Sequence, residues 1–411
     1  MLDPETTRQA DLREGRGPWR DNRIDLPWQP NTDERCDILV VGAGITGALV
    51  AHHLTELGHQ VLIIDRESPG EGSTAASTAL LQWEIDTPLG KLCDLYGFER
   101  ASRTYHRSFQ AVRGLSALAA ALPGPHGLIR RPTLYLAPQA SGAELLEREH
   151  AMRRRAELPG GLLTRADLLA QFRIDREGAI LSPGSAEADP LALAHALLRQ
   201  AATNGARLRH GEACAYEPRI GGTVVTLADG SIIEASRVVL ATGYVMPDFA
   251  RSPLHSTASS FVIATAPQSK ENLWRDGALI WEASDDYMYA RTTTDSRIIL
   301  GGGDEDCEDA EARERLGPAK TASLQRNLAE LWPHADCEAD RAWSGAFGKT
   351  SDGLPLIGPI AGYPGVFAAY GYGGNGITFS YMASRMIGAM IAGETRPWFA
   401  DFSIDRPDPG G

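Results

Sequence analysis

The sequence predicts an α/β protein with a nucleotide-binding βαβ unit near its start. Three observations predict it. Ile38-Leu39-Val40-Val41 is an unbroken apolar run, as in a strand buried on both faces. Gly42, Gly44 and Gly47 follow at once in a G-x-G-x-x-G spacing. A second apolar run, Val61–Ile64, ends in Asp65, 18 residues after Gly47. Between the runs, Ile45–Leu57 reads as a helix with apolar Leu49, Val50 and Leu54, and Gly58 stops it.

Each part has a physical reason. Gly42 permits the tight turn, Gly44 lets backbone approach a pyrophosphate, and Gly47 lets helix and strand pack closely. The helix N-terminus, at Ile45 and Thr46, offers free N–H groups and the positive end of a dipole. Asp65, with Arg66 beside it, stands where a carboxylate accepts from an adenosine ribose hydroxyl. Gly72-Ser73-Thr74-Ala75-Ala76-Ser77-Thr78-Ala79-Leu80-Leu81 comes next. Eight small residues in a row build no core but let backbone and hydroxyls lie against a large flat ligand; the other reading is a surface loop. Downstream, Val238–Leu240 runs into Ala241-Thr242-Gly243, a buried strand ending in a small-residue turn. Near the C-terminus lie Asp352-Gly353-Leu354-Pro355-Leu356-Ile357-Gly358 and Gly371-Tyr372-Gly373-Gly374-Asn375-Gly376-Ile377, the latter opening a helix from about Thr378 to Ile391. A glycine loop opening a helix is a second dipole site, suited to the electron-rich pyrimidine end of a reduced flavin.

Composition sets limits. The 411 residues allow two or three domains. A net charge of −13 disfavours nucleic acid and anionic membrane as partners. The five cysteines form no CxxC and no metal-ligand spacing, so no metal is expected, and a reducing compartment is. No run reaches the ~20 apolar residues of a membrane span. The expected protein is cytoplasmic.

With these motifs in order, the chain resembles the D-amino-acid oxidase superfamily of FAD-dependent oxidoreductases. The resemblance covers roughly residues 35–393, and the polar leader with Trp19 and Trp28 is similar to that of γ-glutamylputrescine-oxidase-like members. It implies a Rossmann-like FAD-binding domain (residues 36–90, 150–250 and 345–411 with the tail) interleaved with an α+β, mixed-sheet substrate domain (91–149 and 251–344), after an N-terminal extension (1–35). It implies FAD as cofactor, with Ile45, Thr46, Arg66, Gly72–Ala75, Ser77, Thr78, Leu80, the backbone near Cys214, Ala241–Gly243 and Gly373–Ile377 joining the fingerprint as contacts. Local pattern fills in the rest: helices at 98–122 and 191–202, strands at 133–136 and 206–216, and a hairpin of Tyr287–Thr292 with Arg297–Gly301.

The resemblance is informative where it fails. Phe347 and Gln82 stand where relatives carry carboxylate-clamping arginines, Thr378 where they carry a lysine, and Gly345 where they carry a flavin-attaching cysteine. FAD is therefore expected to be non-covalent. Either a substrate carboxylate finds its partner elsewhere, or the substrate is an amine without one. Tyr287, Tyr289 and Arg291 share one face of the hairpin; Arg291 could bind a carboxylate and the tyrosines an amine, or the face is a surface strand. Glu84 and Asp86 could hold an alkylammonium or belong to a solvated turn. Asn375 either contacts flavin or substrate, or is there for left-handed backbone. The catalytic candidates are Asn375, Tyr289 and Arg291.

The expected function is FAD-dependent oxidation of the C–N bond of an amine or amino acid, with the acceptor (oxygen, quinone or electron-transfer protein) open. Such chemistry needs orientation and desolvation rather than a strong base. The alternatives are a flavin-binding subunit of a hetero-oligomeric dehydrogenase and, weakly, a nicotinamide-dependent disulfide reductase.

Overall fold

The computed structural model describes residues 13–19, 34–137, 142–282, 287–307 and 309–409. The apolar runs of the fingerprint become neighbours in one sheet. Glu34–Val41 and Val61–Asp65 pair in parallel, with Ile38 opposite Val61 and Val41 opposite Ile64. On the other side of Glu34–Val41 lies Ile232–Leu240, also parallel, with Leu240 opposite Val41. Val366–Tyr370 and Arg207–His210 extend the parallel array outward, and Leu356–Pro359 closes one edge antiparallel. The hairpin Ala213–Arg219 and Gly222–Leu227 hangs from Ile232–Leu240.

One face of this sheet is covered by the helices Ile45–Glu56, Pro190–Thr203, Phe98–Ala121 and Gly376–Ile391, which share one apolar core. Asp189 caps Pro190–Thr203 by accepting from the Ala192 N–H, and Gly58 leaves the first helix at φ +87°.

A second, ten-stranded sheet is mixed. Its order is Arg13–Gly15, Ala339–Thr350, His255–Thr265, Ile298–Glu305, Met288–Thr292, Leu279–Glu282, Ile129–Leu136, Gly178–Glu187 and Leu80–Leu81, with Gly161–Thr164 beside Gly178–Glu187. The expected hairpin is present, and Tyr289 lies opposite Gly301. A Cβ at Gly301 would stand 2.4 Å from the Tyr289 ring, so the tyrosine lies flat across its partner strand only because that residue is glycine.

Two expectations need correction. The strand anticipated at 206–216 is two strands: at Gly211, whose N–H donates to the Asp65 carbonyl at 2.8 Å, the chain leaves the parallel sheet for the hairpin. The anticipated segment boundaries also do not follow the sheets. Leu80–Leu81 and Gly178–Glu187, assigned to the cofactor domain, belong to the ten-stranded sheet, and Ala339–Thr350 crosses residue 345 as one strand. Phe98–Ala121, assigned to the other domain, packs with the parallel-sheet helices. In the N-terminal extension, Arg13–Gly15 adds an edge strand opposite Trp343–Gly345, and the Trp19 indole N–H donates to the Ser77 carbonyl at 2.9 Å. Trp28 lies outside the described residues. Among the described residues no helix is long and apolar enough to cross a membrane.

Candidate active site

The end of the parallel sheet opens into a cleft of about 1170 Å³. Its floor is backbone. Gly42 sits at φ +110°, and a Cβ there would stand 2.3 Å from the Ala241 carbonyl oxygen. A Cβ on Gly47 would stand 1.8 Å from the Gly42 carbonyl oxygen, so strand and helix touch backbone to backbone. The helix Ile45–Glu56 starts at Gly44 without a side-chain cap. Thr74 Oγ1 accepts from the Ile45 N–H at 3.0 Å, which ties the small-residue loop to that helix start. Asp65 accepts from the Ala43 N–H at 2.5 Å and the Glu67 N–H at 2.8 Å. Burial nevertheless pushes its carboxyl above the usual range, with both N–H groups pulling the other way.

A second cleft, of about 870 Å³, continues from the first; Ser73, Ser77, Tyr244 and Gly376 line both. The ten-stranded sheet supplies one wall through Ser260, Val262, Trp281, Tyr289, Gly345 and Phe347, with Tyr287 just before the strand that carries Tyr289. Gln82, Asp86 and the glycine loop Gly373–Gly374 supply another. Tyr289 shares a hydrogen bond with Ser260 Oγ at 3.2 Å, and the Tyr287 hydroxyl donates to Asp304 at 2.6 Å. Asp86 Oδ2 accepts from the Gly374 N–H at 2.6 Å. Among the described residues no Arg, Lys or His lines this cleft.

Residues 37–390 match the DAO family, described as FAD dependent oxidoreductase. The chain belongs to the DAO family of FAD-dependent oxidoreductases. It is 24% identical over 400 residues to the γ-glutamylputrescine oxidoreductase of Escherichia coli, covering 93% of this chain and 89% of the relative. It is 23% identical to a D-amino acid dehydrogenase of Rhizobium johnstonii, covering 87% and 96%. In fold it is similar to glycine oxidase from Geobacillus kaustophilus, with a TM-score of 0.77, 23% identity and coverage of 91% and 99%. These DAO-family likenesses agree with the parallel sheet and the glycine fingerprint.

The clefts fit FAD. The first offers a glycine floor, a helix start whose N-cap is the glycine Gly44 and an acid at a strand end. In the wall common to both, Ser73 Oγ is buried without a partner. Gly42, Gly44, Asp65 and Thr242 would hold the adenosine diphosphate half. Ser73, Ser77 and Gly376 would hold the part that passes into the second cleft.

Of the anticipated contacts, Gly42, Gly44, Ile45, Thr46, Asp65, Arg66, Gly72, Ser73, Thr74, Ser77, Ala241, Thr242, Gly243, Gly376 and Ile377 line the first cleft. Thr78, Leu80, Gly373, Gly374 and Tyr289 line the second. Gly47 and Ala75 line neither; Gly47 acts through packing, and Ala75 is buried. Cys214 is also off the cleft, which is reached instead by Gly211, Glu212 and Ala213, because the strand break at Gly211 shifts the chain.

Two catalytic candidates are corrected. Arg291 is 2% exposed and faces the protein. Its Nη1 donates to the carbonyls of Thr78, Ala79 and Ala188 at 2.8–3.0 Å, and its Nε lies 3.7 Å from Glu187. Ala79 sits at φ +51°, and Arg291 holds the carbonyls of that left-handed bend. Arg291 thus supports the small-residue loop from behind. Asn375 is 3% exposed and turned inward; its Nδ2 donates to the carbonyls of Glu84 at 2.8 Å and Gln82 at 3.3 Å. Thr378 Oγ1 donates to the same Gln82 carbonyl at 2.9 Å. Both residues pin the glycine-loop helix to the chain after the small-residue loop.

Sequence reasoning missed Tyr244 and Tyr372 as site residues, although both line the first cleft; Tyr244 directly follows Ala241–Gly243, and Tyr372 lies inside the glycine loop itself. It also left Glu84 and Asp86 undivided. Glu84 is buried, 3.6 Å from Arg153, and is structural. Asp86 opens onto the second cleft.

Proposed function

We propose that this enzyme oxidises the C–N bond of an amine or amino acid to an imine. The observation that carries the reading is the continuity of the clefts. A dinucleotide-shaped groove leads past Ser73 and Ser77 into a chamber walled by Tyr244, Trp281, Tyr287, Tyr289 and Phe347. The names of the relatives, which act on γ-glutamylputrescine and D-amino acids, support the substrate class. When bound, FAD supplies the acceptor for a hydride leaving the carbon next to nitrogen. The nitrogen gives up a proton, the C–N bond becomes C=N, and water then hydrolyses the imine.

The protein's part is orientation and water exclusion. The aromatic walls exclude water from the reacting carbon, and Gln82 and Asp86 are the polar groups that can set the orientation of the substrate's nitrogen. Gly345 lines the chamber without a nucleophile, so the flavin is held non-covalently and acid precipitation should release it into the supernatant. The reading is tested by anaerobic stopped flow with a panel of amines and D- and L-amino acids. Bleaching of the flavin band by members of the panel is expected; no bleaching by any would sink the reading.

A further inference from the structure

The second cleft has one charged side chain among its described lining residues, and that charge is negative. Asp86 faces the cleft with one oxygen taken by the Gly374 N–H. Trp281, Tyr287 and Tyr289 line the same cleft, the two tyrosine rings 6.1 Å apart and tilted by 31°. Behind Tyr287 lies a second carboxylate, Asp304, which accepts from the Tyr287 hydroxyl and has Lys349 and Lys320 near enough to favour its charge. A carboxylate ligand would meet like charge and no described cation. A cation would meet a carboxylate and the negative faces of aromatic rings.

Resting on the proposed amine oxidation, we propose that the substrate enters as an alkylammonium cation anchored by the Asp86 carboxylate within the Trp281, Tyr287 and Tyr289 rings. The site takes an amine whose reacting end carries no carboxylate. Before the carbon can release a hydride, the ammonium must lose one proton, and the ionised Asp86 is the group placed to take it. With FAD bound as the hydride acceptor, loss of two electrons and one proton from that carbon would turn C–N into C=N, and the product would depart as a protonated imine.

Asp86 makes the site sensitive to pH. Its side chain opens onto the cleft, yet the protein packed around that cleft pushes the carboxyl up to about 6; the Gly374 N–H pulls it down and Asp304 pushes it further up. The other groups coupled to it are the hydroxyls of Tyr244, Tyr287 and Tyr289, all held neutral by burial. Burial also raises the Asp304 carboxyl. A raised carboxyl is charged only above its pKa, so cation binding strengthens as pH rises through about 6.

The test is binding to the holoenzyme, followed by the shift of the flavin absorbance and by calorimetry. The probes are propyltrimethylammonium, a permanent cation, and propionate. The cation should saturate and propionate should not bind. Affinity for the cation should rise about tenfold between pH 5 and pH 7, as one carboxyl with a pKa of about 6 requires. Asp86→Asn keeps an oxygen for the Gly374 N–H. It should retain FAD, bind the cation at least tenfold more weakly at pH 7, and lose the pH dependence. Tighter binding of propionate than of the cation overturns the proposal. So does wild-type affinity that is flat in pH, a result that needs no variant. The two readings fail separately. Cation binding without bleaching by any amine sinks the oxidation and leaves the cation site standing. Bleaching by amino acids together with propionate binding sinks the cation site and leaves the oxidation standing.

Discussion

The two clefts share Ser73, Ser77, Tyr244 and Gly376, yet they are made in different ways. The first is backbone against backbone: Gly42 against Ala241, Gly47 against Gly42, and a helix start with no side-chain cap. On the proposed reading its ligand would be recognised by N–H groups and by the absence of Cβ atoms. The second is side chain against side chain. Residues as far apart as Leu80, Tyr244, Tyr289 and Phe347 converge on it, and its chemistry rests on which aromatic or acidic group each strand turns inward. A backbone site tolerates almost no added atom, whereas a side-chain site can be retuned by one substitution. On the proposed reading, specificity would lie in the second cleft and cofactor retention in the first.

The comparison can be broken by substitutions of graded effect. Gly47→Val should be the most severe. Its Cβ meets a backbone oxygen at 1.8 Å, with no flexible side chain to move aside. Complete loss of bound FAD is expected in the flavin-to-protein absorbance ratio, and normal stoichiometry would show that the first cleft is not set by backbone contact. Next is Arg291→Ala, which leaves three carbonyls without their donor and removes one of two arginines near Glu187; Arg131 remains at 3.0 Å. Each buried carbonyl left without its donor costs about 1–3 kcal/mol. A lower midpoint in chemical denaturation should come with looser flavin, since the left-handed bend at Ala79 loses its support. Asp65→Ala should be milder, weakening FAD by about 1–3 kcal/mol, read by equilibrium titration of apoprotein. An unchanged dissociation constant would remove Asp65 from the cofactor site. The smallest effect is expected for Asn375→Ala. Two hydrogen bonds to the carbonyls of Gln82 and Glu84 are lost, for about 1–2 kcal/mol of stability. Because the amide faces away from the second cleft, flavin reduction by a good substrate should stay within a few-fold of wild type. A hundredfold slower reduction at full flavin occupancy would place Asn375 at the reacting atoms after all.

What could be read early and what could not follows from the range of the interactions. The glycine-floored groove was legible because its parts are close in sequence. A buried strand, a glycine turn, a helix start and an acid fall within Ile38–Asp65, and each residue type there is dictated by local backbone geometry. Helix ends were legible for the same reason: the Asp189 cap acts on Ala192, three residues on. Arg291 and Asn375 were assigned by residue type and spacing. Period two does place Tyr287, Tyr289 and Arg291 on one face, but it cannot say where along the strand the cleft ends and the small-residue loop begins. The division of Glu84 from Asp86 was equally hidden. Two residues apart, one meets Arg153 from a distant helix and the other meets the Gly374 N–H. The sequence by itself determined the βαβ unit, its nucleotide groove and the small-residue loop, since short-range sterics and helix-end electrostatics decide those. Only the tertiary structure decided which acid faces the chamber, which arginine is buried behind it and which strand edge the N-terminal residues Arg13–Gly15 join. Those outcomes depend on partners tens to hundreds of residues away, and burial gives a charge its role only once that partner is in place.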